Sequence, residues 1–200
     1  MTGRKLKVSP ALWVETARRA LVEEGIGGVK VERLAHRLGV TRGGFFHYFR
    51  DREALLDRLL EHWEASCKFL PDELPGSTPA EAVEWVDRVI NRLIEEDGYD
   101  PRFDMAVREW ARSDQRATWA VERADRQRLS VLERCFEGLG YATAEAVIRA
   151  KVFYLHQIGY YALGIRESVS ERRSNVDFYS KILCGEDRLR VARAAATPRV

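Results

Sequence analysis

The chain has 200 residues, 32% of them charged and 46% apolar, as in an ordinary globular protein, and it is long enough for one good core or two small coupled ones. Its net charge of +2 is unevenly divided: residues 1–60 hold 12 Lys and Arg against 7 Asp and Glu, residues 61–200 hold 21 against 24. The longest uncharged run, Val152 to Ile165, has 14 residues where a membrane span needs about 20, so no transmembrane helix is expected.

Residues 1–8 form a basic arm in which Arg4, Lys5 and Lys7 are followed by no apolar run, so no signal peptide is expected. The arm is equally a solvated terminus or a segment that reaches DNA phosphates or a minor groove. Ser9-Pro10 starts the first helix, with a capping serine and a proline at the first helical position. Leu12, Trp13, Thr16, Ala17, Ala20 and Leu21 make its inward stripe, Gly25 ends it, and Ile26 to Val29 link it to the next.

From Val31 to Arg52 the spacing predicts two short helices joined by a tight turn. In the first, Leu34 and Leu38 face inward, and Ala35 is small where another helix crosses. Gly39 stands where the chain needs a positive φ, Val40 plugs the corner, and Thr41 can cap the next helix through its hydroxyl. In that helix Phe45 and Phe49 point inward, while Arg42, Gly43, Phe46 and His47 share the opposite side. Gly43-Gly44 costs a helix roughly 1 kcal/mol per glycine relative to alanine. A close approach of backbone to DNA gives a reason for it, and an apolar-backed helix with arginine and aromatics outward suits a major groove.

Asp51 caps a fourth helix whose apolar positions Leu55, Leu56, Leu59, Leu60 and Trp63 run towards Cys67, and Pro71 and Pro75-Gly76-Ser77 follow it. Thr78-Pro79-Ala80-Glu81 is a capping box that starts a fifth helix, reaching about Asp97. Asp100-Pro101 opens the sixth, Ser113-Asp114 the seventh, which ends at Gly138 or Gly140, and Thr143 the eighth, to about Ile165. The ninth spans Asn175 to Cys184, and the charged, alanine-rich tail 186–200 is expected to be partly disordered. With no period-2 alternation bounded by turn residues, the expected class is all-α with about nine helices.

The run GVTRGGFFHYFRDREALL, preceded by VERLAHRL, closely resembles the amino-terminal signature of TetR-type (tetracycline-repressor-like) transcriptional regulators, over roughly Val8 to Leu60. The resemblance implies a DNA-binding helix-turn-helix head at 1–50 and a helical ligand-binding and dimerisation domain at 51–185, with the fourth helix, 51–69, as connector. It also implies a cytoplasmic homodimer on a palindromic operator, expected to act as a repressor and to be released by a small-molecule effector. Carried over by position, Arg42 reads a guanine edge, Thr41 contacts a base or a phosphate, and His47 and Tyr48 clamp phosphates. Arg52 stands in place of the family's usual phosphate-binding lysine, and Lys30 and Arg33 are further contacts. Phe46 replaces the usual tyrosine and suits thymine methyls; Gly44 replaces a residue whose side chain often contacts DNA.

The eighth helix is apolar nearly all round, which implies burial on two sides. Phe153, Tyr160, Tyr161 and Leu163 from it, with Phe178, Tyr179 and Ile182 from the ninth, are the candidate dimer interface, the alternative being a central helix of a monomeric bundle. Trp63, Trp85, Phe103, Trp110, Trp119 and Tyr154 wall a candidate effector cavity with His156 and Gln157 as polar groups; residue by residue, plain core is the commoner role for such side chains. Cys67, Cys135 and Cys184 lie far apart with no C-x-x-C, which argues for free thiols in a reducing compartment. No catalytic motif, metal-ligand cluster or cofactor motif is present, so neither enzyme activity nor a cofactor is expected. Two other readings remain: an architectural DNA-binding protein without an effector, and a helical carrier or enzyme with a vestigial head.

Overall fold

The structure is a computed structural model that describes residues 8–196, the last by its backbone alone. Among the described residues there are eleven α-helices, one 3-10 turn and no strand. The helices are α1 (Pro10–Glu24), α2 (Val31–Leu38), α3 (Arg42–Phe45), α4 (Arg52–Ser66), α5 (Pro79–Glu95) and α6 (Pro101–Ala111). They continue as α7 (Gln115–Gly138), α8 (Thr143–Ala162), α9 (Val169–Ser174), α10 (Val176–Cys184) and α11 (Glu186–Ala196). The basic arm, Arg4, Lys5 and Lys7, lies outside the described residues.

The helix starts follow from local chemistry. Ser9 accepts the Leu12 amide at 3.3 Å, Asp51 accepts that of Ala54 at 2.8 Å, and Thr78 and Glu81 form the reciprocal capping box. Asp114 accepts the amides of Arg116 and Ala117 to start α7. Thr41 occupies the cap position of α3 with an extended backbone, but its hydroxyl makes no capping bond; its carbonyl accepts the Gly44 amide at 3.0 Å instead. Ala142, not Thr143, stands at the cap position of α8, and the Thr143 hydroxyl donates to Glu137.

Two elements exceed the nine expected. The six-residue α9 sits in what read as a connection, started by a Ser168–Glu171 capping box. The tail is helical from Glu186, because alanine-rich sequence favours helix and Leu189 with Ala192 makes a buried stripe packed on α5. Arg193 lies 3.9 Å from both Asp87 and Asp177.

The chain gathers into two compact units. One takes the chain up to Cys67 and adds Arg102–Val121; the other holds Lys68–Pro101 and everything from Glu122. This grouping by compactness does not follow a boundary at residue 50, since α4 and most of α6 pack with the first three helices.

In the first unit Trp13, Leu34, Phe45, Leu55, Leu59, Trp63 and Phe103 are at most 1% exposed. Phe45 meets Trp13 edge-on at 5.3 Å and stacks on Phe49 at the same distance. Asp104, fully buried, accepts from the Trp63 indole at 3.0 Å and from Arg108 at 2.9 Å, which compensates its charge. The link between α1 and α2 presses against α1: a Cβ on Gly28 would stand 2.5 Å from Glu24 Cβ and 3.1 Å from the Ala20 carbonyl, so only glycine fits. On α1, hydrogen bonds chiefly from Arg18, then Arg19, hold the Glu15 carboxyl at about 2.

In the second unit Trp85 donates to the Glu73 carbonyl at 2.8 Å, and Phe69 sits edge-on to Tyr99 and Tyr154. Tyr154 donates to Asp125 at 2.6 Å and receives Arg128 at 3.3 Å, a satisfied buried network. All three cysteines are buried and outside any disulfide; burial raises the Cys135 thiol and pushes that of Cys184 up to about 12, which leaves both protonated.

Candidate nucleic-acid interface

Leu34 and Ala35 of α2 and Phe45 and Phe49 of the next segment are buried, so the two short helices lock together through the faces their spacing assigns. Gly39 makes the corner in the left-handed region, at φ 66° and ψ 31°, with its amide bonded back to α2. The regular part of α3 is one turn, but the Phe49 amide still bonds the Phe45 carbonyl at 3.1 Å, so helical geometry carries on beyond Phe45.

Thr41, Arg42, Gly43, Phe46, His47 and Tyr48 are all exposed. The Arg42 guanidinium lies 5.8 Å over the Phe46 ring, and its Nε is 3.3 Å from Glu32 Oε1. Phe46 stands edge-on to Phe45 and keeps half its surface in solvent. Tyr48 donates to the Val8 carbonyl at 2.8 Å and so ties down Val8, the last residue of the basic arm. Neither Gly43 nor Gly44 has a positive φ, and an added Cβ would meet nothing closer than Thr41 Oγ1 at 3.7 Å or Val40 at 3.9 Å. The protein's own packing therefore does not demand glycine at either position.

The other basic candidates are placed differently. Lys30 is exposed at the cap position of α2. Arg33 is bonded to Glu24, and its neighbour Arg37 to Glu23 and Glu24, at the end of α1. Arg52 departs most from the expected role: its Nε donates to the Val29 carbonyl at 2.7 Å and its Nη2 to that of Ile26 at 3.3 Å. A third contact runs from Nη1 to Glu53 at 3.3 Å. Arg52 therefore fastens α4 to the link between α1 and α2. Spacing gave no sign of this, because the acceptors are backbone carbonyls 23 and 26 residues away.

This face and the all-helical fold define a helix-turn-helix protein. The head matches the model of the bacterial regulatory proteins of the tetR family over residues 14–59. A curated relative, the HTH-type transcriptional repressor Rv1474c of Mycobacterium tuberculosis, is 43% identical over 42 residues, 21% of this chain and 22% of that protein. The match thus spans about a fifth of that relative's length. Among solved structures, BioQ with its double-stranded DNA operator is 18% identical with a TM-score of 0.44, covering 92% of this chain and 99% of that one. A TetR transcriptional regulator from Rhodococcus sp. RHA1 is 17% identical with a TM-score of 0.40, covering 86% and 94%.

The aromatic side chains expected to wall one cavity are distributed over both compact units. Trp63, Phe103 and Trp110 belong to the core of the first unit, Trp85 and Tyr154 to that of the second, and Trp119 is 58% exposed. Large rings fill cores because they bury the most apolar surface. His156 and Gln157 do line a cavity, a small one of about 60 Å³ among α5, α8, α9 and α10. Its other walls include Ile94, Phe153, Tyr160, Tyr179 and Arg172. Arg172, which in the sequence looks like one more solvated charge, donates to the Ile94 carbonyl at 3.3 Å and lies 5.1 Å over the Tyr160 ring.

Of the residues expected between subunits, Leu163, Phe178, Tyr179 and Ile182 are exposed. Phe153 is buried and Tyr160 and Tyr161 are half-buried within their own chain, Tyr161 donating to the Leu93 carbonyl at 3.1 Å. Leu155 and Val152 of α8, not among the expected residues, add to the exposed apolar surface. No helix among the described residues is long and apolar enough to cross a membrane.

Proposed function

We propose that this protein is a sequence-specific DNA-binding transcriptional regulator, a cytoplasmic homodimer that represses from a palindromic operator and is released by a small-molecule effector. The observation that carries the reading is the head's exposed face. Arg42, Phe46 and His47 project from a helix whose two glycines the fold itself does not require. The head's match to a family of bacterial regulatory proteins and the repressor's name borne by the matched relative support it. Residues 1–50 are then the DNA-binding part and 51–185 the effector and dimerisation part, with α4 as connector. Arg42 reads a base, Thr41, His47, Tyr48 and Lys30 hold phosphates, and no step is catalytic. Arg52 acts through the fold, and Arg33 reaches DNA by exchanging Glu24 for phosphate.

Dimerisation places two heads about 34 Å apart, one helical turn of DNA. Leu163, Phe178 and Ile182 support a dimer through α8 and α10, since exposed apolar side chains so grouped favour a covering partner. The effector acts only as far as it prefers the arrangement that does not fit the operator.

The test is selection of binders from random duplex DNA, followed by titration of the winner and of random sequence across a salt series. A palindromic consensus bound far more tightly than random DNA, by a dimer, is the expected result. Binding without a consensus but with a steep salt slope would replace the regulator with an architectural protein. A second reading, a regulator without an effector, is favoured by the cavity of about 60 Å³, since ligand pockets ordinarily measure roughly 300–1,000 Å³. A ligand library that never shifts the melting temperature or the operator affinity would decide for it.

A further inference from the structure

Arg42, the side chain assigned to base reading, already has a partner in the free protein. Its Nε lies 3.3 Å from Glu32 Oε1, and its guanidinium rests on Phe46. Glu32 stands in the first turn of α2 and Arg42 opens α3, so this ion pair spans the turn of the motif. The two side chains are 62% and 64% exposed, so in water the pair contributes little to folding. Its place on the DNA-facing side gives it another use.

A guanidinium that faces the carboxylate with its Nε side has its two terminal amino groups left for other acceptors, and those donors match the O6 and N7 of a guanine. The carboxylate has a second effect. Brought up to a duplex it repels phosphate, which is what an unrestrained arginine would otherwise seek. Arg33 and Arg37 show the contrast, because their carboxylate partners belong to α1 and lie outside the two helices of the motif.

We propose that Glu32 is a positioning, specificity-determining residue: it directs Arg42 to a base edge and keeps it off the phosphate backbone. This rests on the DNA-binding reading above and adds a residue outside α3 that sets the ratio of operator to random binding.

The experiment measures the full chain on its selected operator and on random duplex across a salt series, for wild type, E32A, E32Q, R42A and the R42A/E32A double variant. In E32A, random DNA should bind several-fold tighter, with the log–log salt slope steeper by about 0.9 as one more phosphate is neutralised. The operator-to-random ratio should fall about tenfold. E32Q, which keeps a polar oxygen beside Arg42 but removes the charge, should retain only part of the ratio. With Arg42 absent, removing Glu32 should leave the ratio unchanged. An E32A protein that loses affinity for both DNAs alike, with a lowered melting temperature, would overturn the inference in favour of a structural role. So would a ratio that survives E32A intact, while leaving the DNA-binding reading in place. A wild type without any sequence preference would instead remove that reading, and this inference with it.

Discussion

The exposed face of α3 and the exposed face of α8 and α10 both carry large apolar side chains, but in different company. On α3 and the turn that follows it, Phe46 and Tyr48 are interleaved with Arg42, His47 and a glycine pair, and the Arg42 guanidinium lies over the Phe46 ring. On α8, its C-terminal cap and α10, Leu155, Leu163, Phe178 and Ile182 are each more than 60% exposed, and Phe178 and Ile182 stand one turn apart. The first mixture suits a hydrated, negatively charged groove, because water and phosphates remain near every contact. The second suits another apolar face, since only dry contact repays covering it. The same residue types thus point to different partners according to what stands between them.

Phe45→Ala should have the largest effect. Removing a fully buried ring that touches both Trp13 and Phe49 costs about 3–5 kcal/mol, enough to melt the head. DNA binding should vanish while sedimentation still finds the wild-type oligomer; loss of both together would show that the two faces are not independent.

Arg52→Ala comes next, at about 1–3 kcal/mol, for two carbonyls left without their charged donor. Arg52→Lys sharpens the point. A phosphate contact would survive in lysine, whereas a fork that spans two carbonyls would not. Thermal unfolding should therefore place Lys nearer to Ala than to wild type.

Replacing both Phe178 and Ile182 by Glu should change folding stability by only about 0.5 kcal/mol per site, since both are exposed. The association state should nevertheless fall to the 23.0 kDa chain in sedimentation. An unchanged oligomer would remove α10 from the proposed interface.

The smallest effect is a pH dependence in the head. Glu15 titrates at about 2 in the folded chain, below the 4.5 of an ordinary glutamate, so its contribution is present above about 4.5 and is lost as pH falls towards 2. Glu15→Gln should flatten the melting-temperature profile across that window by lowering its neutral side, while the most acidic end, where Glu15 is already protonated, stays in place.

Much of the head was legible because its determinants are close in sequence. Phe45 and Phe49 are four apart, the Gly39 corner needs one residue type, and the caps at Ser9, Asp51 and Thr78 act over three residues. Thr41 shows the limit even there: it has the residue type and position of a cap, but its hydroxyl makes no capping bond. The tail shows another. Its composition read as disorder until Leu189 and Ala192 found α5, about a hundred residues earlier in the chain.

By itself, then, the sequence determined an all-helical chain, a helix-turn-helix between Val31 and Phe49, and which side of α3 faces out. Hydrogen bonds and side-chain contacts three or four residues apart suffice for all of these. Only the tertiary structure decided that Arg52 serves two carbonyls, that Trp63 answers Asp104 across 41 residues, and that the four buried tryptophans are divided between two cores. Those outcomes depend on which distant surfaces meet, and an aromatic ring or an arginine carries the same chemistry whether it meets a ligand, a carbonyl or another ring. Periodicity names the face of a helix; packing chooses its partner.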